Sequence, residues 1–135
     1  MSSMSRRLMV LKLYVAVALG GMLGAIGRYS ISIIMESDSV FPIATLLVNL
    51  LGCFLLAYLM SASAIKNRIS TEVFTGLTTG LLGAFTTFST FASETVVLWN
   101  YNPSMAVVYV LLSLLLGLLL AYGGFLLAKK GRRST

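Results

Sequence analysis

The sequence of 135 residues contains no histidine, a single cysteine, two prolines and only four acidic residues. Without histidine, the commonest general base and the commonest ligand of catalytic metals are both missing. The lone Cys53 excludes an intramolecular disulfide and any cysteine-rich metal site. Charge of either sign is scarce: 10% of residues are charged, where soluble domains carry about 25%. A chain so short of polar groups cannot cover a water-facing surface. Histidine-based catalysis, redox chemistry and resident transition metals are therefore disfavoured.

What is present is hydrocarbon. Apolar residues make up 58% of the chain, and the mean hydropathy is +0.94. Four apolar segments are readable, at about 13–35, 43–64, 73–99 and 105–128. Each is long enough to cross a bilayer core of roughly 30 Å. The breaks carry turn or charge signals: Glu36 and Asp38 with Pro42, then Lys66 and Arg68, then Asn100 to Pro103. The short breaks leave no room for a soluble domain, and the basic, weakly apolar stretch up to Lys12 does not read as a signal peptide. The expected fold is an all-α, multi-pass membrane protein, with residues 1–135 forming one four-helix transmembrane domain.

Ten basic residues against four acids give a formal charge of +6. Nine of the ten lie on one side of a four-span topology: Arg6, Arg7, Lys12, Lys66, Arg68, Lys129, Lys130, Arg132 and Arg133. The positive-inside rule places that side, with both termini, in the cytoplasm. The excess is thus an orientation signal facing lipid headgroups, and no nucleic-acid surface is implied.

Polar groups inside the apolar runs need partners, because each is costly in hydrocarbon. Asn49 sits within the second segment, either as interhelical glue or as a donor facing a pore. The third segment carries Thr86-Thr-Phe-Ser-Thr-Phe91, just after Gly80 and Gly83. Four hydroxyls in six positions predict a helix broken near its middle, its freed backbone buried in protein or lining a cavity. Carbonyl ends at such a break suit a cation, and amide ends an anion. Phe88 and Phe91 are three apart and share a face if helical. Aromatic rings have positive edges, so two rings edge-on make an apolar path that tolerates an anion.

Arg28 lies inside the first segment, where it either lines a vestibule or snorkels to the headgroups. Glu94 follows the phenylalanine motif and is expected to pair with a base or a backbone amide. Tyr109 and Ser113, four apart in the last segment, extend a polar stripe that Gly117 and Ala121 do not continue. The spacings of Gly20 with Gly24, and of Gly76 with Gly80, let helix backbones approach closely. A proton-coupled exporter of the small multidrug type would be built around an acid in its first helix; this first helix has none, and its deep charge is an arginine. An amide, hydroxyls, ring edges and a fixed positive charge suit a small, strongly hydrated anion. A small non-conducting membrane subunit is the third class of alternative.

At this point the chain resembles the Fluc/CrcB family of small bacterial fluoride channels over nearly all of its four spans. The pieces that carry the resemblance are Gly20-Gly-Met-Leu-Gly-Ala-Ile-Gly-Arg-Tyr29, Pro42-Ile-Ala-Thr-Leu-Leu-Val-Asn-Leu-Leu-Gly52, and Gly80-Leu-Leu-Gly-Ala-Phe-Thr-Thr-Phe-Ser-Thr-Phe91 with Glu94. The resemblance implies an antiparallel, dual-topology dimer in the bacterial plasma membrane that passively exports fluoride and relieves its toxicity. It implies no bond-making or bond-breaking, hence no enzyme. By the same resemblance, Asn49, Phe88, Phe91, Tyr109, Ser113 and Arg28 belong to the anion pathway. The backbone carbonyls of Gly83 and Thr86 would hold a structural sodium ion (Na+) at the dimer interface.

The nine-to-none bias of bases departs from what one sequence inserting both ways would show, so the second subunit is either a copy or an oppositely oriented homologue. Expressed alone with topology reporters at its C-terminus, the chain is expected to report the cytoplasmic side only. Equal signals from both sides would remove the case for a heterodimer.

Overall fold

A computed structural model describes residues 3–35 and 39–131. Glu36 and Asp38 of the first break, and Arg132 and Arg133 of the basic tail, lie outside the described residues. Among the described residues the chain is entirely helical: α1 (Ser3–Ile34), α2 (Ile43–Ser61), α3 (Ser63–Lys66), α4 (Thr71–Thr75), a π-helical segment (Gly76–Leu82), α5 (Gly83–Phe85), α6 (Phe88–Tyr101) and α7 (Pro103–Gly131). Four stretches are long and apolar enough to cross a membrane: Arg6–Ile34, Ile43–Ser61, Thr71–Tyr101 and Pro103–Gly131.

These bounds adjust the expected spans for identifiable reasons. Helix α1 starts ten residues before position 13, because no glycine or proline precedes Gly20 and basic side chains do not stop a helix. Its 32 residues reach about 48 Å at ~1.5 Å per residue, well beyond a core of roughly 30 Å. The basic first turns therefore project to the headgroups. Helix α2 ends at Ser61 rather than at 64, where Ala62 leaves helical geometry with ψ 82°. The third span begins at Thr71 because the Ser70 hydroxyl accepts the Val73 N–H at 3.3 Å. Pro103 opens α7 as its first helical residue, while Asn102 Oδ1 accepts the Ser104 N–H at 3.0 Å.

The helices pack as two pairs. α1 lies along α4, the π-helical segment and α5, while α2 lies along α7. Glycines bring the backbones of the first pair together. A Cβ at Gly20 would strike the carbonyl oxygen of Gly76, and one at Gly24 that of Leu81. From the opposite side, a Cβ at Gly76 would come within 2.8 Å of the Ala16 carbonyl oxygen. In the second pair, a Cβ at Gly124 would strike the Phe54 carbonyl oxygen. Lipid tails offer no hydrophobic drive for helices to associate, so this close backbone contact supplies the adhesion.

The π-helical segment packs on α1 and continues through the short α5 to the break at Thr86 and Thr87. Leu98, Ala106 and Tyr109 form a small buried core between α6 and α7, flanked by Phe41, Leu46 and Phe91. Elsewhere most large apolar side chains face outwards, as expected of a chain whose solvent is lipid.

Gly24→Ala is expected to destabilise the subunit by about 1–3 kcal/mol through overpacking against Leu81. Gly27→Ala meets only the Phe85 ring at 3.5 Å and serves as the tolerated control. Thermal unfolding in detergent measures both.

Candidate functional site at the break in the third span

Thr86 and Thr87 interrupt the third span in extended geometry, with ψ 158° at Thr86 and φ −148°, ψ 124° at Thr87. Thr86 closes the upstream half, its N–H and hydroxyl both donating to the Leu82 carbonyl at 3.0 and 2.9 Å. Thr87 opens the downstream half: its hydroxyl accepts the Thr90 N–H at 3.2 Å, a helix N-cap. That leaves the Thr87 peptide groups at membrane depth without helical partners. Asn49 supplies them. Its Oδ1 accepts the Thr87 N–H at 2.8 Å and its Nδ2 donates to the Thr87 carbonyl at 3.0 Å. Gly52, one turn along α2, leaves the room that the Thr86 methyl occupies.

Two clefts meet at this break. The inner one, on the side of the termini, is an open groove of about 340 Å³ lined by Asn49, Cys53, Thr86, Phe88, Phe91 and Ser113 among others. The outer one encloses about 290 Å³ and is lined by Arg28, Tyr29, Thr45, Thr87, Thr90 and Glu94 among others. Phe88 and Phe91 lie with ring centroids 5.9 Å apart, tilted by 44°. Phe88 is 79% exposed on the flank of the subunit, and Phe91 packs inward on the Tyr109 ring at 5.1 Å.

Of the residues expected from sequence, four line the inner cleft (Asn49, Phe88, Phe91 and Ser113). Arg28 lines the outer one, where its Nε also donates to the Ala84 carbonyl at 3.2 Å. That bond fixes the side chain against the upstream half-helix, on the protein side. Tyr109 lines neither cleft: it is fully buried, sandwiched between Phe41 and Phe91, with centroids 5.5 and 5.1 Å away. Ser113 donates to the Tyr109 carbonyl at 2.8 Å. Gly117 lies buried against α2, where a Cβ would sit 3.6 Å from Cys53 Sγ.

Glu94 differs from expectation. Among the described residues its hydrogen-bond partners are neither a base nor a backbone amide; Thr45 and Tyr109 hydroxyls donate to its two oxygens, each at 2.8 Å. The nearest charge-neutral donors on α2 and α7 satisfy the carboxylate without moving Arg28 away from Ala84. Thr45, Thr87 and Thr90 were not singled out from sequence. Thr45 stands one helical turn before Asn49, a spacing that marks a shared face, and the two threonines belong to the hydroxyl run itself.

The donor set at the break also bears on a cation. In an unbroken helix the Thr87 N–H would go to the Gly83 carbonyl; here Asn49 takes it. Gly83 is exposed, with nothing within 4 Å of where its Cβ would stand. No group of three or more acidic, cysteine or histidine side chains occurs among the described residues. Carbonyl oxygens at Gly83 and Thr86 are hard, neutral ligands and fit a monovalent cation such as sodium better than a transition metal.

The model of the family described as "CrcB-like protein, Camphor Resistance (CrcB)" matches residues 15–125 of this chain. The chain belongs to the CrcB family. Among curated relatives, this CrcB protein is 46% identical over 125 residues to "Fluoride-specific ion channel FluC 1" of Bacillus thuringiensis subsp. konkukian, covering 87% of this chain and 91% of the relative. It is 47% identical to a FluC 1 of Desulfitobacterium hafniense over 114 residues, 84% of this chain and all of the relative. It is 42% identical to FluC of Thermotoga maritima over 119 residues, 86% and 94% of the two chains. The matched region of the CrcB model takes in both clefts and the break between them.

Asn49→Ala would leave the Thr87 N–H and carbonyl without partners in hydrocarbon, a cost of about 1–3 kcal/mol for each group. A lowered unfolding temperature in detergent is the expected outcome. Unchanged stability would mean that the break holds its shape without Asn49.

Proposed function

We propose that this CrcB protein is one subunit of a fluoride-selective channel that lets fluoride leave the cytoplasm down its electrochemical gradient. The observation that carries the reading is the pair of clefts meeting at the third-span break, lined by the Asn49 amide, hydroxyls, phenylalanine rings and Arg28, with the carboxylate of Glu94 bound by two hydroxyls. Such groups offer positive ends of dipoles to a small anion without trapping it as a lysine cluster would. The relatives named as fluoride-specific channels support the same reading. No bond is made or broken on this path, so the protein is not an enzyme.

Asn49, Phe88, Phe91 and Ser113 line the inner part of the path, and Arg28 draws anions towards its outer mouth. Tyr109 acts from behind, fixing the Phe91 ring and Glu94 by contact and hydrogen bond. The working unit is an antiparallel dimer, which covers the flank where Phe88 and Gly83 are exposed. The concentration of bases on one side favours an oppositely oriented homologue as the second subunit over a copy of this chain. At the interface the Gly83 and Thr86 carbonyls would hold a sodium ion, which would supply a fixed positive charge beside the break.

Liposomes loaded with fluoride, read with a fluoride electrode and with chloride as control, test the function with this chain alone and with an oppositely oriented homologue. Fast fluoride efflux that needs no proton gradient is expected from at least one of the two. Phe88→Ile and Phe91→Ile should each slow it by roughly three- to tenfold, the equivalent of the ~0.5–1.5 kcal/mol that an aromatic contact contributes. Efflux that requires a proton gradient would point to a coupled exporter, and unchanged efflux in both variants would remove the rings from the path.

A further inference from the structure

Thr87 is, among the described residues, the one that lines both clefts. Its backbone is pinned on both sides by Asn49, so the residue cannot swing away to join the two spaces. Its side chain is a β-branched group with one methyl and one hydroxyl. The hydroxyl has a choice of partners. It donates to Thr90 Oγ1 at 2.9 Å and stands 3.4 Å from Ser89 Oγ, while accepting the Thr90 N–H at 3.2 Å. Thr90 lines the outer cleft, and its hydroxyl oxygen receives the Thr87 proton.

A dehydrated anion that arrives from the inner cleft needs donors to replace lost water. The remaining N–H of Asn49 is one. The Thr87 proton is the next, reached by rotation about the Cβ–Oγ1 bond, a motion that leaves the backbone and the N-cap in place. We infer that Thr87 is the septum of the pathway: its methyl closes the passage to anions larger than fluoride, and its hydroxyl turns from Thr90 to hand fluoride from the inner cleft to the outer one. This rests on the channel reading above and adds to it the residue that decides which anion passes.

The test is a series at one position in the assembled channel, read as fluoride and chloride efflux from liposomes. Thr87→Val keeps the shape and loses the hydroxyl; fluoride efflux should fall by roughly tenfold or more, the loss of a hydrogen bond to a charged group. Thr87→Ala loses the same N-cap but opens the septum, so chloride efflux should appear while fluoride efflux stays above that of the valine variant. A residue that only caps α6 would respond alike to both changes, and equal effects overturn the proposal.

Thr87→Ser retains the cap and the hydroxyl and serves if the other two fail to assemble. It should keep the wild-type fluoride rate and gain chloride efflux through the missing methyl, and unaltered chloride efflux overturns the septum role. Failure of the channel reading would show in the wild type, as no halide efflux with either partner. Failure of this inference would show as normal wild-type efflux with selectivity indifferent to residue 87.

Discussion

The two hydrogen bonds between the Asn49 side chain and the Thr87 backbone allow this chain to carry extended backbone through the middle of a membrane. In hydrocarbon a peptide group without a partner costs several kcal/mol, which is why spanning segments are normally unbroken helices. A primary amide has an acceptor oxygen and two N–H donors, one of which lies on the same side as the oxygen, so it can bond the N–H and the C=O of one residue together. Asn49 thus stands in for a strand partner at a single residue. With Thr87 held, the upstream half-helix can end in carbonyls and the downstream half can begin with its amides, and both ends face the same small region.

Side chains around the break are held by partners on other helices, and two clefts stay open between them. Glu94 is bound by two hydroxyls from different helices, and Arg28 is tied to the Ala84 carbonyl. Among the described residues no buried side-chain polar atom lacks a partner. These bonds tether α2, α6 and α7 to one another and α1 to α5, so the cleft walls are fixed by neighbours on separate helices. The glycine contacts between α1 and the π-helical segment do the same on the other side, by backbone contact instead of hydrogen bonds. Walls held in this way suit selection of a small anion, because a flexible wall would adapt to a larger ion.

Much of this was legible in particular residues. The hydroxyl run from Thr86 to Thr90 marked the stretch in which the break falls, since no continuous lipid-facing helix explains four hydroxyls there. Gly20, Gly24, Gly76 and Gly80 marked the face on which α1 meets the third span. Helix ends were less legible, because hydropathy reports what lies in lipid and α1 continues past it into the headgroups. The partners of Glu94 were hidden for a different reason: Thr45 and Tyr109 are 49 and 15 residues away in sequence and approach only through packing. Tyr109 likewise reads as part of a polar stripe, yet the ring contacts with Phe41 and Phe91 bury it completely.

By itself, the sequence determined that the protein lives in a membrane, crosses it four times, carries its bases on one side and breaks its third span at a hydroxyl-rich motif. These follow from hydropathy, charge placement and local backbone chemistry, all properties of neighbouring residues. Only the tertiary structure decided that Asn49 serves the Thr87 backbone, that Glu94 is held by hydroxyls, and that Thr87 lines two clefts. Each of those depends on which face of one helix meets which face of another. Side chains far apart in sequence acquire their partners through that choice, and no periodicity along a single segment specifies it.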